Sequence, residues 1–289
     1  MFRKSLASVF IASVALALVL TMAAIILYVT KSSYNMALEL EEQAMRQSAV
    51  AARSSLDLFV ENSRDMVHFL AGQNLVRDAF NGDAAAARKG LTDILRANPD
   101  IWSLIVFDDK GRILAGANSS GQDLTGQSRS DRDYYQAVMS GQDFFLGKTI
   151  LTAKSGGGDI HILTIAKAIR DESGRTLGGV GVFPHWEAFS KRFIDPVRFG
   201  ERGYGFMLDD KGRIIAHAVD KSLMLKDLSD QTFIRKALET KNGDFFYDWK
   251  GESKYLAVET DPATGWAICM SAYVSELTET AAAQRNMLL

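Results

Sequence analysis

Four histidines, one cysteine and one Gly-Lys-Thr triplet are the points in this 289-residue chain where metal ligation, nucleophilic chemistry or phosphate binding would begin. None has the spacing that such chemistry needs. His68, His161, His185 and His217 are scattered, with no cysteine beside them and no His-Glu-x-x-His pair to converge on one ion. Gly147-Lys148-Thr149 looks like the end of a phosphate loop, but Gly141 lies one residue too far upstream. The bulky run Gln-Asp-Phe-Phe-Leu between them belongs to a strand, not to a loop that presents its backbone to phosphate. No Gly-x-Ser-x-Gly elbow occurs. Cys269 sits in the apolar run Trp266-Ala267-Ile268, reads as a buried inert thiol, and has no second cysteine to pair with. The expectation is a chain that does no catalysis and holds no metal and no cofactor. With 33 basic and 35 acidic residues and no basic stripe, it also has no nucleic-acid footprint. What remains is binding by an ordinary packed core, consistent with 47% hydrophobic and 24% charged residues.

The elements that would position a binding site begin at the N-terminus. Residues Ser5 to Thr30 carry no charged side chain. As a helix they reach about 39 Å, enough to cross a hydrocarbon core of roughly 30 Å. Arg3 and Lys4 precede the run, which puts the N-terminus in the cytoplasm and the rest outside. A cleaved signal peptide is the competing reading, but its apolar region is shorter, and Ile26-Leu27-Tyr28-Val29 is a poor cleavage context. From Ser32 to about Leu70 there is neither proline nor glycine, so one long helix continues out of the membrane. Leu40, Ala44, Gln47, Ala51, Ser54 and Leu58 follow a heptad spacing. Two readings stay open: a helix lying against its own domain, and a contact between two copies of the chain.

Gly72 and Asn81-Gly82-Asp83 punctuate two shorter helices that end near Asn98-Pro99. Short apolar runs divided by turns follow. FDDKGRILAGA at 107–117 recurs as LDDKGRIIAHA at 208–218, identical at eight of eleven positions. Each hairpin is followed by a helix and then by Gly-Gln-Asp-Phe-Phe or Asn-Gly-Asp-Phe-Phe at nearly the same offset. Two landmarks at one offset imply two copies of one unit. Further strands are expected at 144–152, 160–169 and 176–183 in copy one and at 245–249, 254–259 and 266–272 in copy two. Hairpin-length turns make both sheets antiparallel and the fold class α+β. His185–Pro196 would be a helix joining the units, and 274–289 a helix heading back to the membrane. A second span and an output domain are expected beyond Leu289, with an output borrowed from a partner as the alternative.

These residues resemble the double Cache family, PAS-like sensors of chemoreceptors, sensor kinases and cyclic-dinucleotide enzymes. The carriers are the anchor and long helix, Arg129-Ser-Asp-Arg-Asp-Tyr-Tyr-Gln-Ala137, Gly178-Gly-Val-Gly-Val182, the 203–217 run from Gly-Tyr-Gly to Ala-His, and Thr264-Gly-Trp-Ala-Ile268. The resemblance implies a division into 1–4 as cytoplasmic end, 5–30 as transmembrane helix, 31–72 as long helix, 73–197 as membrane-distal module, 198–273 as membrane-proximal module and 274–289 as C-terminal helix. It implies a small-molecule pocket in the distal module and signal transmission through the proximal one. It also implies an inner-membrane location with the sensor region extracytoplasmic, a homodimer through the long helix, and in some cases sensing through a periplasmic binding protein.

The family's amino-acid receptors hold the ligand carboxylate with an Arg-x-Trp-Tyr segment. Arg132-Asp133-Tyr134-Tyr135 stands there, which nominates Arg132, Tyr134 and Tyr135. A guanidinium suits a carboxylate because it can donate two charge-assisted bonds at once. A plain reading also exists, with Arg132 in an exposed pair with Asp131 or Asp133 and the tyrosines in the core. Lys148 on the next strand would be a second anion contact, and Trp102 on the first strand would be core or pocket wall. The Ser155–Asp159 turn would be a flexible turn or lie over the pocket mouth. The amino-acid subgroup ends its Gly-Val-Gly strand with an aspartate for the ligand ammonium. Phe183 stands there instead, so a small organic acid is favoured over an amino acid. The output attached to such a sensor would be a chemotaxis receptor, with a histidine kinase or diguanylate cyclase as the alternative and a membrane-anchored enzyme as the remaining rival.

Overall fold

The computed structural model describes residues 6–155 and 158–278. Helix α1 (Leu6–Ala71) is continuous over 66 residues, as a stretch without glycine or proline allows. Its first part is long and apolar enough to cross a membrane, with a mean hydropathy of 2.8 over a window of which the protein buries nothing. From Met45 onward α1 lies on protein. Met45, Ala49, Ala52, Leu56, Val60, Ser63, Val67 and Leu70 form the buried stripe, spaced at helical threes and fours. The heptad residues Leu40, Ala44, Gln47, Ala51, Ser54 and Leu58 fall on the other side and are all exposed. Gly72 ends α1. Two short helices follow, α2 (Asn74–Phe80) and α3 (Ala84–Ala97). The Asp83 carboxylate caps α3 by accepting from Ala86 N at 3.0 Å.

The first module contains β1 (Ile101–Asp108), β2 (Ile113–Asn118), α4 (Asp133–Met139), β3 (Phe144–Leu146), β4 (Leu151–Ser155), β5 (Gly158–Ile162), β6 (Ile165–Arg170) and β7 (Thr176–Pro184). Helix α5 (Trp186–Phe193) leads to the second, with β8 (Arg198–Phe199), β9 (Gly203–Leu208), β10 (Ile214–His217), α6 (Thr232–Thr240), β11 (Gly243–Trp249), β12 (Glu252–Thr260), β13 (Ala267–Tyr273) and α7 (Val274–Leu277). The sheets run β2-β1-β7-β6-β3 and β10-β9-β13-β12-β11, the same order twice, and every pairing is antiparallel. The duplicated turn is built the same way in both. Asp108 Oδ1 accepts from Lys110 N at 3.0 Å and Arg112 N at 2.8 Å, and Asp209 Oδ1 from Lys211 N and Arg213 N, each at 3.0 Å. Gly111 and Gly212 carry the positive φ of 75° and 85° that these turns demand.

Two expected strands of the first module each divide in two. The chain leaves the main sheet after Leu146, forms the separate β4–β5 hairpin, and returns at Ile165. The apolar pattern runs on through the second break, at Leu163-Thr164, whereas Gly147-Lys148-Thr149 interrupts it at the first. What permits the departure is a close approach of Gly147 to Thr164. Gly147 N donates to Thr164 O at 2.8 Å, and a Cβ on Gly147 would lie 2.1 Å from Thr164 Oγ1. Helix α4 also starts later than Asp131, with Arg132 as its N-cap. The tip of the hairpin at 156–157, the first five residues and the run from 279 to 289 lie outside the described residues, and with them most of the expected C-terminal helix.

The modules are locked together. One buried core runs from Leu104 and Val180 in the first, through Trp186 and Phe189 of α5, to Ile215 and Ile268 in the second. The Trp186 indole N–H donates to Ile215 O, and that of Trp266 to Lys148 O at 2.9 Å. The two indoles meet edge to face at 5.0 Å. Helix α1 spans both, with the Arg46 guanidinium on Asp244 at 3.0 Å and Tyr255 Oη at 2.7 Å, and that of Arg64 over the Phe144 ring at 4.7 Å.

Candidate ligand-binding site

A cavity of about 310 Å³ opens in the first module. Its floor is the main sheet, through Trp102, Ser103 and Ile105 of β1 and Phe183 of β7. Asn118, Gln122, Leu124, Gln127, Arg129 and Arg132 line it from the end of β2 and the connection to α4, and Tyr134 from α4 itself. The fourth side is the β4–β5 hairpin, with Leu151, Thr152, Ala153, Lys154 and Ile162, and Thr164 just beyond it. The second module has no counterpart of this hairpin.

Among the described residues, three cations, Arg129, Arg132 and Lys154, line the cavity, and no aspartate or glutamate does. Arg129 is aimed by its own loop, donating to Ser128 O at 2.8 Å and Gln127 Oε1 at 2.7 Å. Among the described residues Arg132 is held only by Asp131 at 3.7 Å, a long and exposed contact that competes weakly with a ligand. Lys154 pairs with Asp159 across the hairpin at 2.6 Å. Asn118 is fully engaged: its Oδ1 accepts from Ser120 N and Gln122 N at 3.1 and 3.0 Å, which fixes the loop that carries the glutamines.

Ser103, Tyr134, Thr152 and Thr164 bring hydroxyls to the lining. Thr164 Oγ1 is shut from solvent beside Gly147 and has no partner among the described residues. Tyr134 is 3% exposed, packed against Phe107 and Phe183 at ring distances of 5.9 and 5.2 Å. Burial pushes its phenol well above the ordinary value near 10, so it stays a proton donor at any physiological pH.

Of the five nominated side chains, the fold brings Trp102, Arg132 and Tyr134 together around the cavity. Tyr135 and Lys148 stand elsewhere. The Tyr135 hydroxyl donates to Asp109 O at 2.8 Å, tying α4 to the β1–β2 turn. Tyr134 and Tyr135 are neighbours on a helix, so their side chains leave it about 100° apart and only one faces the cavity. Lys148 is not on a strand; it lies exposed between β3 and β4, and its carbonyl serves the Trp266 bond. Arg129, Lys154 and Thr164 were not singled out by sequence reasoning. Arg129 stood in the motif already quoted and Lys154 beside the turn suspected of covering a pocket, whereas nothing local distinguishes Thr164. Cys269 is fully buried, and burial raises its thiol far above the ordinary range.

A Cache domain family model, dCache_1, matches residues 33–281. Among curated proteins, the chain is 25% identical over 225 residues to the methyl-accepting chemotaxis protein McpA of Bacillus subtilis (strain 168), covering 76% of this chain and 31% of that protein. It is 30% identical over 160 residues to TlpA of the same organism, covering 52% and 21%. The chain thus spans less than a third of the length of these relatives. Among solved structures, the ligand-binding domain of the Campylobacter jejuni chemoreceptor Tlp3 with 4-methylisoleucine superposes with a TM-score of 0.66 at 14% identity, over 85% of this chain and 94% of that one. The ligand-binding domain of Mlp24 with asparagine gives 0.67 at 12% identity, over 87% and 99%. The extracellular domain of the putative histidine kinase mmHK1S-Z2 gives 0.65 at 19%, over 82% and 98%. These likenesses establish a shared fold, and the family model spans both modules and the outer part of α1. The chain belongs to the Cache domain family.

Proposed function

We propose that this chain is the ligand-sensing region of a membrane-anchored chemoreceptor, and that its first module binds a small carboxylate-bearing metabolite. The observation that carries this reading is a cavity lined, among the described residues, by three cations and by no carboxylate. Arg132 and Arg129 hold the ligand carboxylate, Tyr134 and Thr164 donate or share hydrogen bonds, and Trp102 with Phe183 supply the apolar wall. An α-ammonium group would find no acidic partner on the lining, so an organic acid fits better than an amino acid. The relatives solved with an isoleucine analogue and with asparagine support a small carboxylate-bearing ligand as a class.

The apolar start of α1 anchors the chain in the inner membrane with the modules outside. The exposed heptad face of α1 is the contact with a second copy, because its spacing suits a helix pair and its own modules lie on the other side. Ligand binding favours one arrangement of the modules, and α1 carries the shift through the membrane. The likeness to a histidine-kinase extracellular domain keeps a kinase output as the second reading. Delivery by a periplasmic binding protein is compatible with the same cavity.

The test is a melting-temperature screen of the full chain in detergent against mono- and dicarboxylates. Ligand at about 100 times its dissociation constant adds roughly 2.7 kcal/mol. Stabilisation by a carboxylate, lost in Arg132→Ala, is expected. Hits confined to amines or purines and indifferent to that substitution would overturn the carboxylate assignment.

A further inference from the structure

The second module carries a two-stranded ribbon that extends past the rest of its sheet. The last rung between β12 and β13 joins Lys254 to Tyr273, whereas β11 and β12 continue for two more, Asp248 with Ser253 and Trp249 with Glu252. Lys250 and Gly251 close the ribbon with φ of 55° and 83°, the left-handed pair that a two-residue hairpin turn needs. One side chain of α6 braces it. Phe233 stacks on Tyr247 at 4.8 Å and meets Trp249 edge to face at 5.4 Å.

The direction of the ribbon follows from the register of β12 against α1. Arg46 reaches the Tyr255 hydroxyl at 2.7 Å, and Arg53 reaches the Glu259 carboxylate at 3.7 Å. Residue numbers rise together along the two elements, so β12 climbs away from the bilayer and the turn before it points back. The step from Arg46 to Arg53 rises about 10 Å and that from Tyr255 to Glu259 about 13 Å, so a strand residue advances roughly 2.6 Å along the helix. At that rate the turn lies about 13 Å below the level of Arg46, and about 11 Å above Thr30, where the uncharged run ends. Tyr28 and Tyr34 are exposed on α1 on either side of that point, as the aromatic girdle of a bilayer is. The polar layer outside the hydrocarbon is about 5–8 Å deep on each side, and a lysine stem spans the few ångströms that remain.

The tip has the side chains for such a layer. Lys250 is exposed, makes no ion pair among the described residues, and holds its ammonium 5.8 Å from the Trp249 ring. Glu252, its acidic neighbour, is already met by Arg202 at 3.0 and 3.1 Å. Asp248 stands on the opposite face of the ribbon from Trp249.

We propose that this ribbon tip is a membrane contact, in which Lys250 pairs with the phosphate of a phospholipid headgroup and the amphipathic Trp249 ring lies at the edge of the same layer. The contact rests on the reading of α1 as a membrane anchor. It gives the second module a foothold on the bilayer besides α1 itself.

The experiment uses the full chain in nanodiscs of equal parts phosphatidylcholine and phosphatidylglycerol, with a nitroxide on the headgroup of a fraction of the lipid. The chain is labelled with 5-fluorotryptophan, and its four tryptophans are assigned by single Trp→Phe variants. Trp249 should relax severalfold faster than Trp102, Trp186 and Trp266. Lys250→Glu should cut that enhancement by about twofold or more, since an acidic tip is repelled by the anionic surface, and Lys250→Arg should keep it. Both variants change an exposed turn residue and should retain the parent melting temperature. Equal relaxation at all four tryptophans, or an enhancement at Trp249 that Lys250→Glu leaves untouched, overturns the contact. A trifluoroethyl group on Tyr28→Cys reads the anchor separately. If the headgroup nitroxide relaxes that group and not Trp249, the ribbon contact alone fails; if it relaxes neither, the anchor reading fails and the contact with it.

Discussion

At the scale of single residues, Thr164 separates ligand binding from folding. Its hydroxyl is buried and unpaired, so Thr164→Val should leave the empty protein unchanged or about 1 kcal/mol more stable. The same substitution should weaken the ligand that uses the hydroxyl by about tenfold, a cost in the usual range for a lost hydrogen bond. Thermal melts with and without the ligand measure both; a variant destabilised without ligand would show that the hydroxyl serves the fold. His217 makes a pH prediction. Burial holds its imidazole down at about 4, against 6.5 for the free side chain. Between these values the unfolded chain takes up a proton that the native one refuses. Stability is therefore unaffected above about pH 6.5, falls as the pH drops toward 4, and levels off below. The loss is on the order of 3 kcal/mol, at 1.36 kcal/mol per unit. His217→Asn keeps an acceptor for the Val219 and Asp220 amides and should flatten that part of the curve. Denaturant midpoints from pH 7 to 4 check it, and an unchanged slope in the variant would place the acid sensitivity elsewhere.

At the scale of elements, α1 has two faces with different partners. Its buried stripe from Met45 to Leu70 belongs to the modules, and the heptad face from Leu40 to Leu58 is open. In membranes, Ala51→Cys on the open face should form a disulfide-linked dimer on mild oxidation, while Met45→Cys on the buried stripe should not. Leu58→Glu added to Ala51→Cys should reduce the cross-link severalfold, since like charges would meet across the seam. Equal cross-linking at both positions would argue for random collision. The β4–β5 hairpin is the other decisive element, because it supplies the fourth side of the cavity. Gly147→Val should prevent its departure from the sheet by forcing side-chain atoms into Thr164. Loss of ligand binding with the second module still folded is expected, read by the environment of Trp249, which packs on Phe233 within that module, on the one hand and the melting screen on the other.

At the scale of the whole molecule, the two modules should unfold as one. They share a core, and α1 packs on both sheets. Trp266→Phe removes the indole donor to Lys148 O while keeping an aromatic ring. It should cost about 1 kcal/mol and broaden the single calorimetric transition as the modules begin to uncouple. A variant with the parent midpoint and width would show that the shared core alone holds the joint.

The features legible in the sequence are those set by local periodicity and repetition. An uncharged run long enough for a bilayer, a helix without breakers, and a turn whose aspartate and glycine positions recur 101 residues later are each contained within a short window. They determined the α+β class, the duplication and the antiparallel turns. Tertiary structure decided the rest, because it depends on groups distant in the chain. Arg129, Lys154 and Thr164 meet Trp102 only after the hairpin folds over the sheet, and no window contains all four. The choice between Tyr134 and Tyr135 needs the angle at which α4 docks. The free face of α1 is defined only once the two sheets cover the other one. Even the closeness of Glu187 to His161 waits on the packing of α5 between the modules, since that contact is a product of long-range burial.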